Sequence, residues 1–217
     1  MNTLGKLRAK IHGEVFDYQA LLDTLSGYRK PRDKITRLLA AGAIVRIKKG
    51  LYCFGEPFRK KNVSREHLAN LIYGPSYISI DYALSYYGLI PERVEMITSV
   101  TTRRSRDFDT PFGVFSYHML SPHRYAVGAV FETAGNIPYL VASPEKALVD
   151  KVWKDKRFSG SRISEFDDYL CDDLRMDRGD LGKLDYNRLQ TIAGAYDSAK
   201  INNLIRHLQR LKGESNA

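Results

Sequence analysis

All of the net charge of this chain lies in its first 61 residues. That segment holds 14 Lys and Arg against 5 Asp and Glu, whereas residues 62–217 hold 20 of each, so the formal charge of +9 belongs to the amino-terminal part alone. A division this uneven predicts a small basic module over 1–61 followed by a larger, electrically balanced one over 62–217. With 43% hydrophobic and 11% aromatic residues, the chain has the apolar material for packed cores and is not a disordered polyelectrolyte. No run approaches the roughly 18 apolar residues of a membrane span. The start, Met1 to Gly13, carries Lys6, Arg8 and Lys10 where a signal peptide would be apolar. A cytoplasmic protein without membrane contact is expected, with Cys53 and Cys171 as reduced thiols because they form no CxxC pair.

Within the basic module, Leu4, Leu7 and Ile11 recur at helical spacing with cations on the other faces, which predicts a first amphipathic helix. Asp17 precedes YQALLDTL and can cap a second helix, with Phe16 and Leu21 placed as a hydrophobic staple. That helix ends near Ser26-Gly27. Pro31 suits the first turn of a third helix, RDKITRLLAA, and Gly42 suits the left-handed residue that closes it. Projected at 100° per residue, Ile35, Leu38 and Leu39 form one apolar stripe, while Asp33 and Arg37 point away from it with Lys34 and Thr36 alongside. AIVRI and LYCF are β-prone runs joined by Lys48-Lys49-Gly50, a hairpin signal, and a short strand is expected near Glu14 to Phe16. Three helices followed by such a hairpin make a winged helix-turn-helix.

A helix fits the major groove of B-form DNA, and side chains from its first turns reach base edges there. Lys30, Arg32, Lys34 and Arg37 are cations suited to guanine or phosphate oxygens, Asp33 is an acceptor for cytosine, and Thr36 carries a methyl group for thymine. Arg46, Lys48 and Lys49 on the hairpin would meet the phosphate backbone. Double-stranded operator DNA is therefore the expected partner. The plainer alternative is a solvated basic face. RNA is less favoured because the segment lacks an aromatic strand platform, Tyr52 and Phe54 reading as core residues.

Beyond Glu56 to Asn62, which has the composition of a linker, Ser64 caps a helix with Glu66 in its first turn. YISIDYALSYYGLIPE predicts a short apolar strand running into a helix stopped by Gly88 and Pro91. Strands are expected in MITSVTT and GVFSYHML around a polar connection and in AVGAVFET and IPYLVA, and Ser143-Pro144 opens a helix that leads into a mostly helical tail. The fold class expected is α+β: the winged helix plus a larger mixed α/β domain with a small sheet. Five segments in sequence order carry a family likeness: Val45 to Tyr52 (VRIKKGLY), Tyr77 to Glu92 (YISIDYALSYYGLIPE), Ile97 to Thr101 (ITSVT), Thr110 to Gly113 (TPFG) and Ala142 to Asp150 (ASPEKALVD). Over about 45 to 150 the chain resembles the AbiEi antitoxins of bacterial abortive-infection systems, and only loosely over its last 60 residues. That resemblance implies a repressor whose winged helix binds inverted repeats in the promoter of its own operon. It also implies a carboxy-terminal domain that neutralises a nucleotidyltransferase-like toxin in the type IV manner, without a stable complex.

Little in the sequence favours an enzyme or a cofactor. The five histidines lack metal-site spacing, although a turn at Ser121-Pro122 could bring His118 and His123 together, and the glycines form no nucleotide-binding motif. Arg103, Arg104 and Arg106 are a concentrated cationic group beside Asp107 and Asp109, suited to clamping phosphate, touching DNA or meeting an acidic partner, or else to an exposed, internally paired loop. A nuclease built on those acids is a minor reading. The acidic stretch 165–180 reads as an exposed helix face, and Ile201, Leu204, Ile205, Leu208 and Leu211 as a stripe packed on the second domain. The alternative to an antitoxin is a winged-helix regulator whose second domain senses a small ligand and has no toxin partner.

Overall fold

The carboxylate of Asp17 accepts the Ala20 amide at 2.8 Å, so the chain turns from a short strand into a helix where the capping residue stands. In the computed structural model, which describes residues 3–214, this opens an amino-terminal head. Its elements are α1 (Thr3–Lys10), β1 (Val15–Asp17), α2 (Tyr18–Thr24), α3 (Pro31–Ala40), β2 (Ile44–Lys48) and β3 (Leu51–Phe54). Pro31 begins α3, and Gly42 follows it with φ +63°, so both ends of that helix fall where the punctuation of the sequence puts them. The strands form an antiparallel sheet in the order β1-β3-β2, turned at Gly50 with φ +89°. Leu7, Leu21, Leu25, Ile35 and Leu38 from the helices close on Phe16, Ile44, Tyr52 and Phe54 from one face of the sheet.

The remainder is a body of mixed α and β structure. Its strands are β4 (Ser76–Ile78), β5 (Ile97–Thr101), β6 (Arg106–Thr110), β7 (Gly113–Met119), β8 (Ala129–Ala134) and β9 (Ile137–Ala142). They form a mixed sheet in the order β6-β7-β5-β4-β9-β8, parallel at β5–β7 and β4–β9 and antiparallel elsewhere. The sheet is larger than expected because the polar connection is itself a strand. β6 (RDFDT) sets three charged residues around a single aromatic one, a pattern that suits an edge, where exposed charge discourages further pairing.

Helices cover both faces of this sheet. On one side lies α4 (Arg65–Ile72), which takes the Ser76 and Tyr117 hydroxyls on its Ala69 carbonyl. On the other lies α7 (Pro144–Lys154), whose Asp150 accepts from Tyr77 at 3.3 Å and Ser79 at 2.6 Å. Alternate residues of β4 thus serve opposite layers. The Ser64 and Ser143 hydroxyls cap these two helices at the positions expected of them. The other α-helices are α5 (Ile80–Tyr86), α6 (Pro122–Tyr125), α8 (Glu165–Asp167), which runs on into a π-helical turn (Asp168–Asp173), α9 (Arg178–Gly182), α10 (Tyr186–Tyr196) and α11 (Ala199–Glu214). The stripe Ile201, Leu204, Ile205, Leu208 and Leu211 of α11 is buried in the body's core. No described helix is long and apolar enough to cross a membrane.

The layer beneath α7 is polar. Lys146, wholly buried, places its ammonium 3.1 Å from Asp150 and donates to the Arg124 carbonyl at 2.8 Å and to the Tyr196 hydroxyl, which donates in turn to Asp150. Burial pulls the Lys146 pKa down while Asp150 pulls it up, and the phenols of Tyr77 and Tyr196 are pushed far up by burial and by the same carboxylate. Every member has partners, which is the condition for keeping ions inside a core.

Head and body share one layer. Ile47, Leu51 and Cys53, on the second face of the small sheet, belong to the core of the body, so β3 is buried on both sides. The segment read as a linker is folded against this junction. Arg8 forms an ion pair with Glu14 at 2.7 Å, lies 3.5 Å from the centre of the Phe54 ring and donates to the Phe58 carbonyl. Arg59 donates to the Phe54 carbonyl at 2.8 Å and lies over Phe112 of the body at 5.1 Å. Gly55 brings two backbones together: its amide donates to Ala43 at 2.9 Å, and a methyl group in its place would lie 1.8 Å from the Gly42 carbonyl oxygen. Gly55→Ala is therefore expected to destabilise the protein by about 1–3 kcal/mol in urea unfolding. Gly194→Ala, in the last turn of α10 with open space around it, should stabilise it by about 0.4–1 kcal/mol in the same measurement.

Candidate nucleic-acid interface

The two faces of α3 divide as its sequence dictates. Ile35 and Leu38 are buried, Leu39 is partly buried, and Arg32, Asp33, Thr36 and Arg37 stand exposed on the other side with Lys30 just ahead of them. Among the described residues, none of Lys30, Arg32 and Arg37 forms an ion pair within 4 Å. The Thr36 hydroxyl donates to the Arg32 carbonyl at 3.2 Å, which leaves its methyl group as the outward feature. Asp33, in the first turn, complements the helix dipole whether or not it meets a base.

Lys34 is half-buried, with its ammonium 5.4 Å from the centre of the Tyr28 ring, and Lys6 of α1 lies 5.5 Å from the same ring. The Tyr28 hydroxyl meets Thr3 at 2.9 Å. Tyr28 thereby joins the cations of α1 and α3 into one surface at the amino-terminal end of α3. The sequence singled out neither Lys6 nor Tyr28 by name for this surface, although Lys6 is among the cations on the outer faces of the first helix and Tyr28 is an aromatic residue in the turn ahead of Pro31.

On the hairpin, Arg46 and Lys49 are exposed, and Lys48 is not where it was expected. A bulge between Arg46 and Lys48 pairs Lys48 with Leu51, whose side chain belongs to the core of the body. Ile47 and Lys48 therefore both turn toward the body, and Lys48 donates to the Ile72 carbonyl at the end of α4. Burial, and after it the Arg103 and Arg106 guanidiniums, hold the Lys48 ammonium below its usual pKa. The correction is physical: without the bulge, strict alternation would have kept Lys48 on the side of Arg46.

The body's arginines adjoin this position. Arg103 lies 5.7 Å from the centre of the Tyr73 ring and Arg106 lies 4.9 Å from that of Phe108. Tyr73, Phe108 and Tyr117 stack edge to face or tilted within 5.6 Å of one another. Arg103, Arg104 and Arg106 are all exposed. Lys48 is close enough to Arg103 and Arg106 for their charges to act on it, so the base of the hairpin adjoins the body's arginines and forms a positive band with them. Among the described residues, the His118 and His123 rings hydrogen-bond only to the serines two residues away, and no described group of three or more His, Cys, Asp or Glu could hold a metal ion.

Lys48 and Lys49 should separate cleanly on substitution. Lys48→Ala is expected to cost about 1–2 kcal/mol of folding stability in urea, because it strands the Ile72 carbonyl at a packed junction. Lys49→Ala should leave stability within about 0.5 kcal/mol of the parent. No protein-family model matches this sequence, and no curated protein was found similar to it.

Proposed function

We propose that the chain is a sequence-specific binder of duplex DNA that represses its own operon and serves as the antitoxin to a nucleotidyltransferase-like toxin. The observation that carries the DNA-binding part is the face of α3: four polar or charged side chains exposed in a stripe, with cations that have no ion pair among the described residues, on a helix anchored from behind by Ile35 and Leu38. In this reading the head is a winged helix-turn-helix. α3 enters the major groove, Arg32 and Arg37 read guanines, Asp33 accepts from cytosine and Thr36 meets a thymine methyl. Lys30, Lys6, Lys34, Arg46 and Lys49 lie against phosphates, and the band continues onto Arg103, Arg104 and Arg106. Neutralising about six phosphates gives a slope near −5 in log affinity against log salt. The antitoxin part is supported by the order of the five segments from Val45 to Asp150 that resemble the AbiEi antitoxins.

Gel shifts with the DNA upstream of the gene test the first part. Affinity for that DNA about a thousandfold or more above scrambled competitor at physiological salt is the expected result, and equal affinities would reject the proposal. Arg37→Ala should cost about 1–3 kcal/mol and relax preference at a single base pair. Co-expression with a neighbouring nucleotidyltransferase reading frame tests the second part, with rescue of growth expected and continued toxicity contradicting it.

A further inference from the structure

A cleft of about 410 Å³ opens on the α7 face of the large sheet, between His118 of β7, the start of α5 and the end of α7. The volume is that of a small-molecule site. His118 pairs in register with Val100, and Val100 with Tyr77, so its side chain shares the face from which Tyr77 reaches Asp150. Arg106 pairs with Tyr117, which reaches α4 on the opposite face. The cleft and the band of Lys48, Arg103 and Arg106 are therefore on opposite sides of the sheet.

Charge in the cleft is unevenly compensated. Asp81 is held by Lys151 in an ion pair, and Asp155 accepts from the Tyr169 hydroxyl at 3.2 Å and the Arg157 amide at 3.0 Å. Among the described residues, the side chains of Lys154, Lys156 and Arg157 have neither a hydrogen bond nor an ion pair. Lys154 is half-buried, and burial followed by repulsion from Lys156 lowers its pKa. A lysine that merely complemented the carboxy-terminal end of α7 would gain nothing from burial beside a second cation. His118 is likewise held toward its neutral form, by burial and then by Lys154. The wall between them is strained: Ile80, β-branched, has φ +60° where β4 turns into α5, and it lines the cleft beside Asp81.

We propose that this cleft binds the polyphosphate group of a small molecule, with Lys154, Lys156 and Arg157 as its counter-ions and the His118 imidazole as a neutral hydrogen-bonding group. Three unmatched cations call for a ligand carrying more than one negative charge, which a single carboxylate does not supply. The fixed acids Asp81 and Asp155 at the cleft and its position away from the other basic band favour a compact ligand over a polynucleotide.

Isothermal titration of the full chain with inorganic tripolyphosphate at physiological salt provides the test. A saturable 1:1 isotherm is expected, weakened about tenfold or more in Lys154→Gln/Arg157→Gln and unchanged in Lys212→Gln, an exposed cation of α11. Lys156→Gln, at an exposed position, keeps the test open if the double variant fails to fold, and it should weaken binding severalfold. No saturable heat, or equal affinity in parent and cleft variants, overturns the proposal. So does displacement of tripolyphosphate by a 20-base-pair duplex whose own affinity falls in the same variants, since the cleft would then belong to a nucleic-acid surface. None of these outcomes depends on whether α3 binds DNA.

Discussion

A strand of four residues, Leu51–Phe54, is buried on both sides, and the arrangement of the whole molecule follows from it. Tyr52 and Phe54 support the three helices of the head, while Leu51 and Cys53, with Ile47 beside them, complete the core of the body. Fully burying a side chain such as Leu or Ile contributes about 1.5–3 kcal/mol, so swivelling the head away would expose several kcal/mol of apolar surface. Arg8 and Arg59 hold the intervening segment to the same junction through the carbonyls and rings of Phe54, Phe58 and Phe112. The head is thus presented at a fixed angle, with the free face of α3 outward and Lys48 of the hairpin beside Arg103 and Arg106. Deleting residues 1–61 would remove not a detachable module but part of the body's own core, Ile47, Leu51 and Cys53.

A second anchor lies on the far side of the large sheet. Lys146 and Asp150 stand one turn apart on α7 and are linked through Tyr196 to α10, through Tyr77 to β4, through Ser79 to the start of α5, and through the Arg124 carbonyl to α6. A pair of ions this deeply buried gains little net stability but specifies a single arrangement of its partners. The same helix then carries Lys151 and Lys154 into the cationic cleft. One element therefore fixes the core at its start and presents charge at its end.

Much of the head was legible because its signals are local. Asp17, Pro31, Gly42 and Gly50 set caps and turns by their own chemistry, and the apolar spacing of Ile35, Leu38 and Leu39 chose the buried face of α3. In the body, the hydroxyls of Ser64 and Ser143 did the same for two helices. The bulge that turns Lys48 inward depends on packing against another part of the chain and has no mark in KKG. β6 was missed because an edge strand needs only one apolar side chain packed on the core, the partly buried Phe108, and its charged neighbours resemble a loop. The unbroken apolar run LYCF did carry a sign of burial on both faces, since a strand with one wet face alternates. The cleft cations gave only the short basic run around Asp155, and nothing there foretells that Lys154 is half-buried beside His118.

Photocrosslinking tests most directly whether duplex DNA lies against α3, as we propose. With a photoreactive side chain placed at Thr36, on the exposed face of α3, or at Gln209, exposed on α11, the account predicts crosslinks to duplex DNA from the first position and none from the second. Crosslinks from position 209 with none from position 36 would contradict it.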